Sequence, residues 1–208
     1  MGRAMCKSEA ETGQVVLASA SPFRARMLEA AGVRLRVIPA DVDETALKRG
    51  LAGKVGPEGL AAALAAAKSQ AVSAAHPADW VIGADQVLAL GDETFGKPVD
   101  LTAARAQLRH LRGKTHRLLS AVALAQGGRV VWSKIDTASL SVRDFSDAFL
   151  DAYVARCGER LLGTAGGYEI EGLGIQLFDR VEGDHFTIIG LPLLPLLGEL
   201  RLRGVIQA

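Results

Sequence analysis

Between Val15 and Val33 the chain reads VVLASASPFRARMLEAAGV, which gathers two hydroxyls, Ser19 and Ser21, and two arginines, Arg24 and Arg26, around a helix start. Ser21 is a good N-cap, Pro22 fits the first helical position, and Gly32 is a natural stop. Such a helix start carries free N–H donors and partial positive charge, which suit a phosphate. The same residues equally suit a capped core helix with solvated arginines. Asp85 follows the apolar stretch Trp80–Ile82 and the pair Gly83-Ala84. A carboxylate at the C-terminal end of a strand faces the ligand crevice of α/β folds, where it can orient a water or bind a divalent cation. It also reads as a plain turn or capping aspartate.

Three further features carry chemistry. Lys97-Pro98 in a loop offers a point charge to a polyphosphate, or a solvated lysine. Lys68 is the only charged residue between Leu60 and Ala75, and either snorkels outward or faces a polar cleft. Asp41, Asp43 and Glu44 form an acidic turn whose hard oxygens suit magnesium or manganese, or ordinary surface.

The elements that must position these residues alternate between strand and helix patterns. The apolar run Val15–Ala18 and Arg34–Pro39 read as strands, Gly50–Pro57 as a loop, and Leu60–Ala75 as an Ala-rich helix. Trp80–Ile82 is a short buried strand with Gln86–Leu90 as its candidate continuation. Leu101–Leu111 reads as a helix capped by Thr102. Leu118–Ala125 and Arg129–Val142 read as strands around Gln126-Gly127-Gly128. Phe145–Arg156 is a helix opened by Ser146 or Asp147, and Gly163–Gly174 is a glycine-rich loop. A strand near His185–Ile189 and a helix near Leu193–Arg201 close the pattern. The expectation is an α/β fold: a twisted mixed sheet flanked by helices, as two lobes around a central cleft. Residues 1–13 read as a mobile tail and 14–208 as a single domain.

Composition narrows the partners. With 24 Lys and Arg against 23 Asp and Glu, the chain has no broad basic surface for a nucleic acid polymer, while a local phosphate pocket remains open to it. Two cysteines and no CxxC exclude a disulfide scaffold and a Cys-based zinc site, and fit a reducing cytoplasm. No apolar run reaches the length of a membrane span, and the N-terminus lacks a signal core.

Several signatures fail. Gly91–Lys97 approaches a P-loop, but Pro98 stands where a metal-binding Ser or Thr belongs. Gly172-Leu173-Gly174 lacks the third glycine of a dinucleotide fingerprint. GxSxG and HExxH are absent, and the four histidines show no ligand spacing; His110 and His116 read as structural or solvated.

The residues that survive fall in one order: SASPxR at Ser19–Arg24, VDE at Val42–Glu44, Lys68, GAD at Gly83–Asp85, KP at Lys97–Pro98, LxGxxH at Leu111–His116, AGxYxIxGLG at Ala165–Gly174 and GLPL at Gly190–Leu193. This ordered set resembles the Maf family of nucleotide pyrophosphatases over nearly the whole chain. The resemblance implies the fold shared with inosine triphosphate pyrophosphatases and a metal-dependent hydrolase. Such an enzyme cleaves a nucleoside triphosphate between its α- and β-phosphates, giving monophosphate and pyrophosphate. It implies Asp85 as the proton acceptor for the attacking water, with Lys97 beside it in the catalytic group. Arg24, Lys68 and Lys97 then clamp the triphosphate with Ser19 and Ser21 nearby, while Glu44 and Asp85 hold Mg2+ or Mn2+. Whether Asp85 is base or metal ligand stays open.

Departures within the motifs point to the substrate. Phe23 replaces the first of two arginines common after the proline. Gln86 and Glu171 stand where the branch resembling dTTP and UTP pyrophosphatases has Thr and Gln. The triplet Phe23, Gln86 and Glu171 resembles the branch acting on 7-methyl-GTP. N7-methylated guanine is a cation and stacks well on an aromatic face. A carboxylate can accept both N1–H and N2–H of guanine, where uracil and thymine offer one such donor. Phe23 equally reads as a core residue, since it shares a helical face with Met27 and Ala30. A broader or dTTP/UTP-directed pyrophosphatase is the alternative within the class. A non-catalytic nucleotide-binding regulator of septum formation is the alternative outside it. The resemblance allows a homodimer, with no sequence feature marking an interface.

Overall fold

In the computed structural model, which describes residues 13–207, strand β1 (Val15–Leu17) is wholly buried and leads into helix α1 (Pro22–Ala30). The local signals agree here. The Ser21 hydroxyl accepts from the Arg24 N–H at 3.5 Å, Pro22 opens the helix, and Gly32 takes a positive φ of 79° just beyond it. Strand β2 (Leu35–Val37) runs parallel to β1. Helices α2 (Glu44–Leu51) and α3 (Pro57–Ala75) then lead to β3 (Trp80–Leu90). Strand β4 (Glu93–Phe95) folds back on β3, and α4 (Leu101–Leu111) precedes the long pair β5 (Thr115–Gln126) and β6 (Arg129–Val142). Helix α5 (Asp147–Cys157), β7 (Phe178–Glu182), α6 (His185–Ile189) and α7 (Leu193–Leu202) complete the chain.

The seven strands form one mixed sheet in the order β2-β1-β3-β5-β6-β7, with β4 on the free side of β3. Helix α3 covers one face, where Ala61 and Ala65 pack on Val87, Ala89, Leu119, Ala121 and Ala123. These small residues let helix and strand approach closely. A Cβ added to Gly83 would collide with the Ala65 carbonyl and stand 2.6 Å from the Ser69 N. The opposite face carries two separate helical groups. Helices α1 and α7 cover Leu17, Ile82, Val122 and Leu124, and α4 and α5 cover Leu88, Leu118 and Leu140. Helix α6 spans the seam, with Ile188 in one group and Phe186 against the other. The central cleft expected from the sequence is this seam, and β3 and β5 run continuously beneath both groups.

Several elements depart from expectation. Gly83-Ala84 does not turn: β3 is one strand of 11 residues, held from Val81 to Ala89 by antiparallel pairing with β5, so Asp85 sits at its middle and not at its end. The acidic turn opens α2, because the Asp43 side chain accepts from the Ala46 N–H at 2.9 Å and caps it. The cap of α4 is Asp100, not Thr102. Residues 185–189 are helical, not extended. Asp184 caps them through the Thr187 N–H at 2.9 Å, and Gly190 ends them at a φ of 119°. The expected tail lies outside the described residues up to 12. Gly13, its last member, packs against Ala78, and Gln14 donates to Asp79 at 2.9 Å. No described helix is long and apolar enough to cross a membrane.

Candidate active site

Strand β1 pairs with β3 only as far as Ile82, and β4 begins opposite Leu88. Among the described residues no strand lies against this side of β3 between Gly83 and Val87. The gap is filled from α1. The buried Arg24 guanidinium donates through Nε to the Gly190 carbonyl at 2.8 Å, and through Nη1 to Ser19 Oγ and the Ala84 carbonyl, both at 3.0 Å. Ser19 Oγ also accepts from the Ser21 N–H at 3.3 Å. Nη2 makes no hydrogen bond among the described residues. Burial lowers the Arg24 pKa, while the nearby carboxylates of Asp85 and Glu44 oppose that shift.

Side chains alternate along a strand, so the odd positions of β3 face α3 and the even ones face the seam. Asp85 therefore meets Lys68, the lone charge of α3. Lys68 Nζ lies 2.6 Å from Asp85 Oδ1 and 2.8 Å from Glu44 Oε1, the first residue of α2. Burial pushes the Glu44 carboxyl up. The hydrogen bond and charge of Lys68, helped by Lys48, outweigh that and leave its pKa below the usual carboxylate value.

One cation, the Lys68 ammonium, thus already bridges the two carboxylates. Their oxygens are hard donors of the kind magnesium and manganese take, and both can reach a common centre. Among the described residues no group of three or more His, Cys, Asp or Glu could hold a metal. An ion there would complete its shell with water and phosphate oxygens, as Mg2+ commonly does. The residues fit such an ion.

Gln86, the next residue, faces the seam. Its Nε2 donates to Ser120 Oγ at 2.9 Å and to the Thr187 and Ile188 carbonyls at 3.0 Å. Acceptors on three sides fix the amide, so Oε1 is the atom it offers to the cleft. That cleft is lined by Phe23, Gln86, Leu118, Tyr168, Glu171 and Ile188 among others. Hydrogen bonds brace its back wall. The Tyr168 hydroxyl lies 2.6 Å from Nε2 of the fully buried His116, and Thr164 Oγ1 exchanges hydrogen bonds with the Tyr168 backbone. Glu171, 56% exposed, stands at the mouth with His185 Nε2 3.4 Å away. Arg26 lies over the Phe23 ring, 4.9 Å from its centroid.

The residues expected from sequence therefore fall into three contiguous groups: Ser19, Ser21 and Arg24 in the strand gap; Lys68, Asp85 and Glu44 on the α3 face; Phe23, Gln86 and Glu171 on the seam face. Lys97 joins none of them by contact. It is exposed in the loop after β4, two residues past the Leu88–Phe95 pairing, with no hydrogen bond or ion pair among the described residues. Sequence reasoning missed Ser120 and the pairing of His116 with Tyr168, although His116 and Tyr168 both lay in the ordered motifs and His116 read as structural or solvated. Ser120 had one signal, being the only polar residue in the run LLSAVALA.

A family model described as Maf-like protein matches residues 14–202. A protein of Mesorhizobium japonicum named 7-methyl-GTP pyrophosphatase is 48% identical over 94% of this chain and 99% of its own length. One of the same name from Brucella abortus is 48% identical over 91% of this chain and 96% of its own. A nucleoside triphosphate pyrophosphatase of Paramagnetospirillum magneticum is 50% identical over 91% and 98%.

Proposed function

The chain belongs to the Maf family, and we propose that it is a nucleoside triphosphate pyrophosphatase acting foremost on 7-methyl-GTP, so removing a modified nucleotide from the cytoplasmic pool. The observation that supports this reading is the adjacency of two unlike sites at the open stretch of β3. The Phe23, Gln86 and Glu171 cleft suits a guanine, and the Arg24, Lys68, Asp85 and Glu44 group suits a triphosphate. The two lie on opposite faces of one strand, so a nucleotide reaching both passes through the strand gap beside Arg24.

In this reading Phe23 stacks on the base, Glu171 accepts N1–H and N2–H, and Gln86 offers Oε1 to the ring. Uracil and thymine present only one ring N–H to Glu171, leaving a carboxylate oxygen unpaired. Arg24 Nη2 and the N-terminus of α1 take up phosphate charge. Lys68 swings from Asp85 to a phosphate oxygen, and Lys97 approaches from its exposed loop. Asp85 then takes the proton of a water that attacks the α-phosphorus. The α–β bond breaks, and the electron pair leaves on pyrophosphate. Phosphoryl transfer of this kind rests on positioning and charge neutralisation more than on covalent help. A magnesium or manganese ion held by Glu44, with Asp85 as alternative ligand, would supply further charge neutralisation at the phosphates.

The test is pyrophosphate release from the purified protein with 7-methyl-GTP, GTP, UTP, dTTP, CTP and ITP, with and without Mg2+ or Mn2+. Metal-dependent turnover highest on 7-methyl-GTP is the expected result. Highest turnover on UTP or dTTP keeps the enzyme class and removes the base assignment.

A further inference from the structure

Phe23, Glu171 and Ile189 line the base cleft on one side and a second cavity on the other. The second cavity has a volume of about 430 Å³, within the range of small-ligand pockets. Met27 and Ala30 of α1, Phe186 of α6 and Leu193 of α7 bound it, so its lining is largely apolar. Nothing in the reaction described above uses it.

Its position relative to Glu171 decides what it can take. The argument rests on the reading of Glu171 as the partner of the guanine N1–H and 2-amino edge. That residue belongs to both cavities, so the 2-amino nitrogen is the base atom brought to their shared wall. A bidentate pair with a carboxylate uses N1–H and only one of the two amino hydrogens. The other hydrogen can be replaced by carbon without loss of either hydrogen bond. Alkylation at O6, by contrast, removes the N1 proton and breaks the pair, and N7 lies on the opposite edge of the ring. We propose that the second cavity is a subsite for guanine nucleotides carrying an apolar group on the 2-amino nitrogen. Such a group passes Glu171 and packs between α1 and the α6–α7 turn, against Met27, Phe186 and Leu193.

The experiment compares GTP with GTP benzylated on its 2-amino nitrogen, using the full chain and pyrophosphate release. Burying one aromatic ring predicts a kcat/KM roughly tenfold above that of GTP. Ala30→Trp, which fills the cavity from the exposed end of α1, is expected to cancel that gain while 7-methyl-GTP turnover, which also reports folding, stays unchanged. A benzylated substrate turned over more slowly than GTP overturns the proposal, as does a gain that Ala30→Trp leaves intact. Glu171→Gln separates the two readings. If it leaves the preference for GTP over UTP unchanged, the base assignment itself fails and the subsite falls with it. If it abolishes that preference while the benzylated substrate shows no gain, only the subsite fails.

Discussion

Lys68 Nζ lies 2.6 Å from Asp85 Oδ1, so the residue assigned as proton acceptor is tied to an ammonium before any substrate arrives. Oδ1 is occupied by that contact and is not open to a water proton until Lys68 finds another partner. A triphosphate changes the balance by offering Lys68 several anionic oxygens. Substrate binding and release of the base are then one event. Asp85→Asn is expected to lower kcat by at least about 100-fold with KM little changed, the usual scale for a lost general base. Lys68→Met is expected to raise KM as well, since it removes the competitor and the clamp together. Near-wild-type kcat in Asp85→Asn, by pyrophosphate release, sinks the assignment.

The base cleft makes a prediction of a different kind. Replacing Glu171 by Gln exchanges one acceptor oxygen for a donor and removes the charge that favours a cationic base. The ratio of kcat/KM for 7-methyl-GTP over UTP is expected to fall by about tenfold or more, which corresponds to one charge-assisted hydrogen bond. Gln86→Thr should act on the same ratio, because it withdraws Oε1 and takes from the Ile188 carbonyl its side-chain donor, while Ser120 Oγ still donates to the Thr187 carbonyl. Unchanged relative rates across the nucleotides in both variants would falsify the cleft as the base reader.

Arg24 is a structural clamp as well as the phosphate ligand proposed above. Its three hydrogen bonds join α1 to Ser19 after β1, to Ala84 of β3 and to Gly190 after α6. Arg24→Met leaves the buried carbonyls of Ala84 and Gly190 without that donor, at about 1–3 kcal/mol. For a chain of this size that is a fall in Tm of several degrees. Arg24→Lys keeps the charge and cannot reproduce the fork, so it too should melt early. A thermal melt and a KM measurement on the same samples test both roles. A variant that binds weakly and melts normally would leave only the phosphate role.

These contacts show where the sequence was informative. The first strand, helix α1 and the turn between them were legible because every signal was local: an apolar run, a Ser cap, a Pro start and a Gly stop within 19 residues. The strand β3 was cut short because Gly83-Ala84 reads as a turn, whereas pairing with β5 and the close approach of α3 keep it extended. The misreading of residues 185–189 has a similar origin. His-Phe-Thr-Ile-Ile favours a strand by composition, and the Asp184 cap with the turn at Gly190 overrides it. The joining of Asp85, Lys68 and Glu44 is tertiary. Its only local trace was the isolation of one lysine on an Ala-rich helix.

His116 gives the last prediction. It is fully buried beside Tyr168 and Phe178, and burial lowers its pKa to about 4. The unfolded chain binds the same proton near pH 6.5. The native state therefore holds this histidine neutral over a range where the unfolded chain takes up a proton. Its contribution to stability is whole above about pH 6.5, shrinks as the pH falls, and is exhausted below about pH 4. The full span corresponds to about 3 kcal/mol. Carboxylates such as Glu44, whose pKa is also lowered, lose stability in the same direction in acid, so the wild-type curve alone does not isolate the histidine. His116→Phe removes the titration and keeps an aromatic ring against Phe178. Its Tm should be lower at pH 7.5, where the Tyr168 hydroxyl has lost its partner. Between pH 6.5 and 4.5 it should fall less steeply than that of wild type. Parallel curves for the two proteins would mean that His116 is protonated in the folded state after all. The imidazolium Nε2 would then donate to the Tyr168 hydroxyl, which could only accept from it.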